Sequence, residues 1–240
     1  MTEDPDTTVD LDAQVKAADP DRWLSTRMIA DAGARADVLA LYALNHALAR
    51  VAETVSEPMM GHIRLAWWRE ALDELAQGRP PRAHPVVEAL ADPMGRRAFD
   101  PAALDALVDA RAADLEPEAL ADEAKLYAYI DATAGALAAI AARRLDPASP
   151  PDAVTEAMRA WGLAGLARNG RLPAAWGEAV LTERVDAHLK AAAAQAKALP
   201  VRAFPAVAYA AFARPYARGR DPGPLEKQAR LLGATVLGRP

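Results

Sequence analysis

The chain has 240 residues, 52% hydrophobic and 25% charged, with a formal charge of −5 and an isoelectric point near 5.5. This acidic balance excludes nucleic acid as a partner, because binding phosphates demands a basic surface that replaces their counterions. The absence of cysteine excludes disulfides, thiolate zinc sites and cysteine nucleophiles, and four scattered histidines do not suggest a metal site.

The opening MTEDPDTTVDLDAQ lacks both the basic and the apolar region of a signal peptide. Residues 1–18 therefore read as a flexible acidic leading segment, and the expected location is cytoplasmic. Residues 19–236 then form one domain, since a chain of this length buries one substantial core. Leu41, Leu44, Leu48, Val51 and Val55 recur at steps of three and four, which predicts a helix over about 34–54 with that stripe facing the core. Ser56 suits an N-cap and Pro58 a first turn, so a second helix should run through Ile63, Trp67 and Leu75, antiparallel to the first. Gly78 to Pro85 must be a loop, because its prolines lack the amide donor.

Further helices are predicted at about 101–115, 117–143, 152–168 and 177–199, with connectors at 146–151 and 169–176. Pro200, Pro205 and Pro215 divide the rest into short or kinked helices. Strand-like alternation and hairpin turns are absent, so the fold class is all-α. The alanine-rich tracts around 132–142 and 187–198 are broken or flanked by Arg143, Arg144, Lys190, Gln195 and Lys197 and fall short of a membrane span. Peripheral contact with the inner membrane stays open.

Four segments in order, DPDRWLSTRMIADAGARADVLALYALNHALARV, RLAWWREALDEL, AYIDATAGALAAIAAR and AWGLAGLARNGRLP, resemble the squalene/phytoene synthase family. The resemblance implies a single-domain helical bundle of the isoprenoid synthase type. Enzymes of this family join two isoprenoid diphosphates head to head, with magnesium clamped between the diphosphates and two aspartate-rich motifs on facing helices. Departing diphosphate gathers negative charge, and metal ions held by several hard oxygen ligands stabilise it. Aspartates at i and i+4 share one helical face and so one metal cluster.

Active members resemble LYAFCR followed by Asp-Asp-x-x-Asp. Here Leu41-Tyr42-Ala43-Leu44-Asn45-His46 leads to Ala49, Arg50 and Glu53, so two of three carboxylates are missing and Arg50 opposes a divalent cation beside the third. The second motif is missing too, because Leu166-Ala167-Arg168 passes directly to Asn169-Gly170-Arg171-Leu172-Pro173. Val55-Ser56-Glu57-Pro58-Met59 and Arg64-Leu65-Ala66-Trp67-Trp68-Arg69 resemble a divergent branch, the one that includes the mitochondrial complex I assembly factor related to phytoene synthase.

No catalytic residue and no metal ligand are assigned. Asn45, His46, Arg50, Glu53, Arg64 and Arg168 are candidates for a remnant cavity or an anion site, with Arg50, Arg64 and Arg168 expected to converge on a phosphate-like head group. Each also fits a solvated or structural side chain, and an imidazole at position 46 fits a phosphate contact or an idle cavity edge. Trp67 and Trp68 suit a partner or lipid contact, although adjacent tryptophans on an amphipathic helix are more often core and rim packing. Asp105, Asp109 and Asp114 alternate with Leu104, Leu107 and Val108 and read as a solvated outer face.

The leading expectation is a pseudoenzyme that binds a protein partner in complex I assembly, with no cofactor and with a prenyl or lipid ligand as an option. Two alternatives stand beside it. One is an active head-to-head prenyltransferase using farnesyl or geranylgeranyl diphosphate and Mg²⁺. The other is a prenyl-lipid carrier or sensor, which keeps the tunnel without the chemistry.

Overall fold

A computed structural model describes residues 10–116, 120, 122–173 and 175–240, and among these there are only helices, turns and loops. In chain order the α-helices are α1 (Leu11–Ala18), α2 (Pro20–Thr26), α3 (Ala32–Ala49), α4 (Pro58–Ala76), α5 (Pro85–Gly95) and α6 (Pro101–Ala110). They continue as α7 (Glu123–Ile130), α8 (Ala136–Leu145), α9 (Thr155–Arg168), α10 (Glu178–Gln195), α11 (Ala213–Ala217) and α12 (Pro224–Leu237). Single 3₁₀ turns extend α6 and α10, another leads into α9, and a π turn, Asp131–Gly135, links α7 to α8.

Local chemistry sets the starts. Asp10, Asp19, Asp31, Asp100 and Asp122 accept hydrogen bonds from free amides of the first turn, and proline opens α2, α4, α5, α6 and α12, where its missing donor costs nothing.

Helix α3 lies at the centre, packed by α1, α5 and α8, with Leu41, Leu44 and Leu48 fully buried. The close pass of α9 over α7 depends on Gly162, where a Cβ would sit 2.5 Å from Ile130 Cγ2. Asp105 and Asp109 do lie on an outer face, and Arg69 of α4 pairs with both, 2.8 Å from Asp105. Arg22 is among the charged side chains sunk into the core: its Nη1 lies 2.6 Å from Asp19, and its guanidinium stands 5.0 Å from the Tyr209 ring and 5.7 Å from that of Trp161. Burial opposes the Arg22 charge, and Asp19 with Tyr209 outweighs it, holding the group above its ordinary value.

The structure departs from expectation in four places. Ser56 does not cap α4: the N-cap position is Glu57, without a side-chain hydrogen bond. Leu11–Ala18 is a helix packed on α2 and α3, not part of a flexible leader, whereas residues 1–9 lie outside the described residues. The stretch foreseen as one helix over 117–143 is broken, with α7 starting only at Glu123, because Asp122 caps there and accepts from the Lys125 amide at 2.8 Å; residues 117–119 and 121 lie outside the described ones. Helices α2 and α5 were not foreseen, since α2 has only seven residues and α5 carries Pro93 inside it.

Candidate functional site

The C-terminal end of α3 divides the candidate residues between two clefts and the core. Asn45 points inward: it is buried, and its Oδ1 accepts from Arg111 Nη2 at 2.7 Å. His46, Arg50, Arg64, Trp67, Trp68 and His84 line an outer cleft of about 380 Å³ between α3 and α4. Within it the two tryptophan rings meet edge to face at 5.1 Å, with His84 4.9 Å from Trp68, and Trp68 is buried. Burial, reinforced by Arg50, lowers the His46 imidazole below 6.5. Burial lowers that of His84 too. The ring at position 46 is therefore a neutral one at neutral pH, and the positive charge in this cleft comes from Arg50 and Arg64. Arg64 Nη1 also donates to Thr54 Oγ1 at 2.5 Å.

The second cleft, of about 760 Å³, is bounded by Ala49, Ala52 and Glu53 on one side, Asn169 to Pro173 on another, and Asp114 to Glu116 on a third. It thus lies between the positions that the family resemblance assigns to the two aspartate motifs. Carboxylates are present, but among the described residues none is arranged with others as a metal site. Glu53 is exposed and 3.8 Å from Arg50. Asp114, with a side chain only 6% exposed, accepts from Tyr129 OH at 2.7 Å, Arg171 Nη1 at 2.7 Å and Arg111 Nη1 at 3.2 Å. Burial raises the Tyr129 phenol, with Arg111 opposing and Asp114 adding to the rise. Burial works against the charge of Arg171, and Tyr129 and Asp114 outweigh it. Among the described residues no three His, Asp or Glu side chains gather as metal ligands.

Local geometry explains how Arg171 reaches this network. Helix α9 ends in a left-handed Gly170, φ 64°, with the Gly170 amide on Ala167 O at 3.0 Å and the Arg171 amide on Leu166 O at 2.9 Å. This closure is one that glycine permits without strain, and it turns the next residue back toward Asp114.

Two expectations are corrected. Arg168 does not converge with Arg50 and Arg64: it stacks 4.1 Å from the Tyr216 ring and lies 3.8 Å from Asp221, because its place on α9 faces α11. Asp114 is not on a solvated face, because the 3₁₀ turn after α6 rotates it away from the line of Asp105 and Asp109 into the Arg111, Tyr129 and Arg171 group. That group was missed. The only local sign was the i,i+3 spacing of Arg111 and Asp114, since Tyr129 and Arg171 come from distant segments.

This bundle has the all-α isoprenoid synthase fold, and the comparisons agree. The family model "Squalene/phytoene synthase" matches residues 15–169. A solved structure described as a dehydrosqualene synthase in complex with ligand superposes with a TM-score of 0.67 over 94% of each chain, at 12% sequence identity. No curated protein sequence matches the chain. The chain belongs to the squalene/phytoene synthase family, whose members are of the prenyltransferase type. No helix among the described residues is long and apolar enough to cross a membrane.

Proposed function

We propose that this chain is a non-catalytic member of its family that docks a protein partner, acting in respiratory complex I assembly at the inner-membrane surface and needing neither magnesium nor another cofactor. The observation that carries this reading is the engagement of Asp114: among the described residues, this buried carboxylate of the cleft is held by three protein donors. A departing diphosphate needs several free hard oxygens around its metal ions, and Ala49 and Arg50 supply none.

The first turns of α4, within the segment that resembles the assembly-factor branch, expose Met59, Met60 and Ile63 at 66%, 47% and 55%. Three large apolar side chains side by side in water favour a covering partner. In a strain lacking the protein, complex I activity in membranes should fall. It should return with the wild-type chain and with Glu53→Ala, but not with Ile63→Asp. Full activity without the protein, or failure of Glu53→Ala alone, would count against this reading.

A further inference from the structure

A groove of about 1140 Å³, larger than either cleft, lies away from both, at the C-terminal end of α4 and between the α5–α6 turn and α8. Its floor is apolar. Leu75, Met94, Phe99 and Ile140 are buried beneath it, while Ala103 and Ala106 of α6 and Ala136 and Ala139 of α8 line it with small, partly exposed side chains. Its rim is basic, carrying Arg96, Arg97, Arg143 and Arg144.

Two of these arginines are already neutralised. Buried Asp37 accepts from Arg96 Nη2 at 3.0 Å and from Arg144 Nε at 2.5 Å, and Asp92 also pairs with Arg96 at 2.8 Å. Asp100, the carboxylate in the groove wall, accepts from the Ala102 amide at 3.1 Å. Arg97 and Arg143 have no carboxylate partner within ion-pair distance among the described residues, so with Asp100 counted the rim keeps a net positive charge.

The backbone at Arg97 adds a second sign. Its φ is 56°, and it is the only described non-glycine residue with a positive value. It closes α5, its amide on Met94 O at 3.0 Å and the next amide on Pro93 O at 2.8 Å, a helix ending at which glycine is the unstrained choice. An arginine held there is less favourable than glycine, and the closure fixes where its side chain leaves the backbone at the groove rim.

We infer that this groove binds a single-chain amphiphile, with a hydrocarbon tail along the alanine floor and an anionic head between Arg97 and Arg143. The volume is ample for such a ligand, guanidinium groups hold carboxylate or phosphate bidentately, and a floor lined by alanine and by buried Leu75, Met94, Phe99 and Ile140 favours methylene over water. The site is separate from the cleft of the missing aspartate motifs, so it stands or falls apart from the non-catalytic reading.

Titration of the full chain with dodecyl phosphate and with dodecanoate below their micellar concentrations, beside inorganic phosphate, tests it and separates the two head groups. At least one amphiphile should bind saturably, and inorganic phosphate far more weakly. Arg97→Ala and Arg143→Ala should each weaken binding by about tenfold, the scale of a lost charge-assisted hydrogen bond. Ala139→Leu, which fills the floor, should weaken it as well while leaving the helical circular dichroism intact. Arg97→Gly should weaken binding and yet raise Tm by about 2–4 °C, since relief of a left-handed backbone is worth that much in a chain of this size. Unchanged affinity in the Arg97→Ala/Arg143→Ala double variant, or inorganic phosphate binding as tightly as dodecyl phosphate, would overturn the inference.

Discussion

Asp114→Ala is expected to destabilise the protein by about 3–5 kcal/mol, the range for removing one partner of a buried charge pair. The carboxylate takes hydrogen bonds from Arg111, Tyr129 and Arg171, and Arg111 Nε already lacks a partner. Losing Asp114 leaves the Arg111 guanidinium with Asn45 Oδ1 and the phenolic oxygen of Tyr129 as its remaining partners. Asp114→Asn keeps one acceptor of the same shape and should cost markedly less. Urea denaturation of the two variants measures the difference. A loss below about 1 kcal/mol in Asp114→Ala, as for an exposed pair, would mean that the carboxylate is not locked and stands free for ligands.

Arg22→Ala should have an effect of similar size, about 3–5 kcal/mol, but for a different reason. The side chain fills the space between Tyr42, Trp161 and Tyr209, with ring centroids at 6.0, 5.7 and 5.0 Å, so truncation opens a cavity among three aromatic rings and removes cation–π contacts. Asp19 keeps its bond to the Arg22 backbone amide at 3.0 Å and reaches solvent, so its loss of a charge partner weighs less. Arg22→Met restores most of the volume and should recover much of the stability, because apolar replacement of a buried charge is often close to neutral. If Arg22→Met were as damaging as Arg22→Ala, charge rather than packing would dominate at this position.

The fold was readable because its signals are local. The Leu41, Leu44 and Leu48 stripe, the proline-opened helices and the run of alanines each act within one helical turn or two, and α3, α4, α9 and α10 lie close to where periodicity puts them. The short helices were not readable, since seven residues in α2 hold too few apolar positions to show a period. The site was legible only in what it lacks. Ala49, Arg50 and Asn169 can be seen as departures from aspartate motifs in the sequence itself, but what occupies the cleft instead depends on Arg111, Tyr129 and Arg171 meeting Asp114 across up to 57 residues. The direction of each α3 side chain was equally hidden: neighbours Asn45 and His46 share a motif, yet one faces the core and the other a cleft, because successive helical positions are about 100° apart.

The most direct test of catalytic silence is incubation of the folded protein with farnesyl and geranylgeranyl diphosphates and Mg²⁺, with and without NADPH, following diphosphate release and hydrocarbon products. Neither should form above the level of a protein-free control. Sustained diphosphate release together with a squalene- or phytoene-like product would contradict the non-catalytic reading, since it would require metal ions held where Asp114 already takes three protein donors and Glu53 is paired with Arg50.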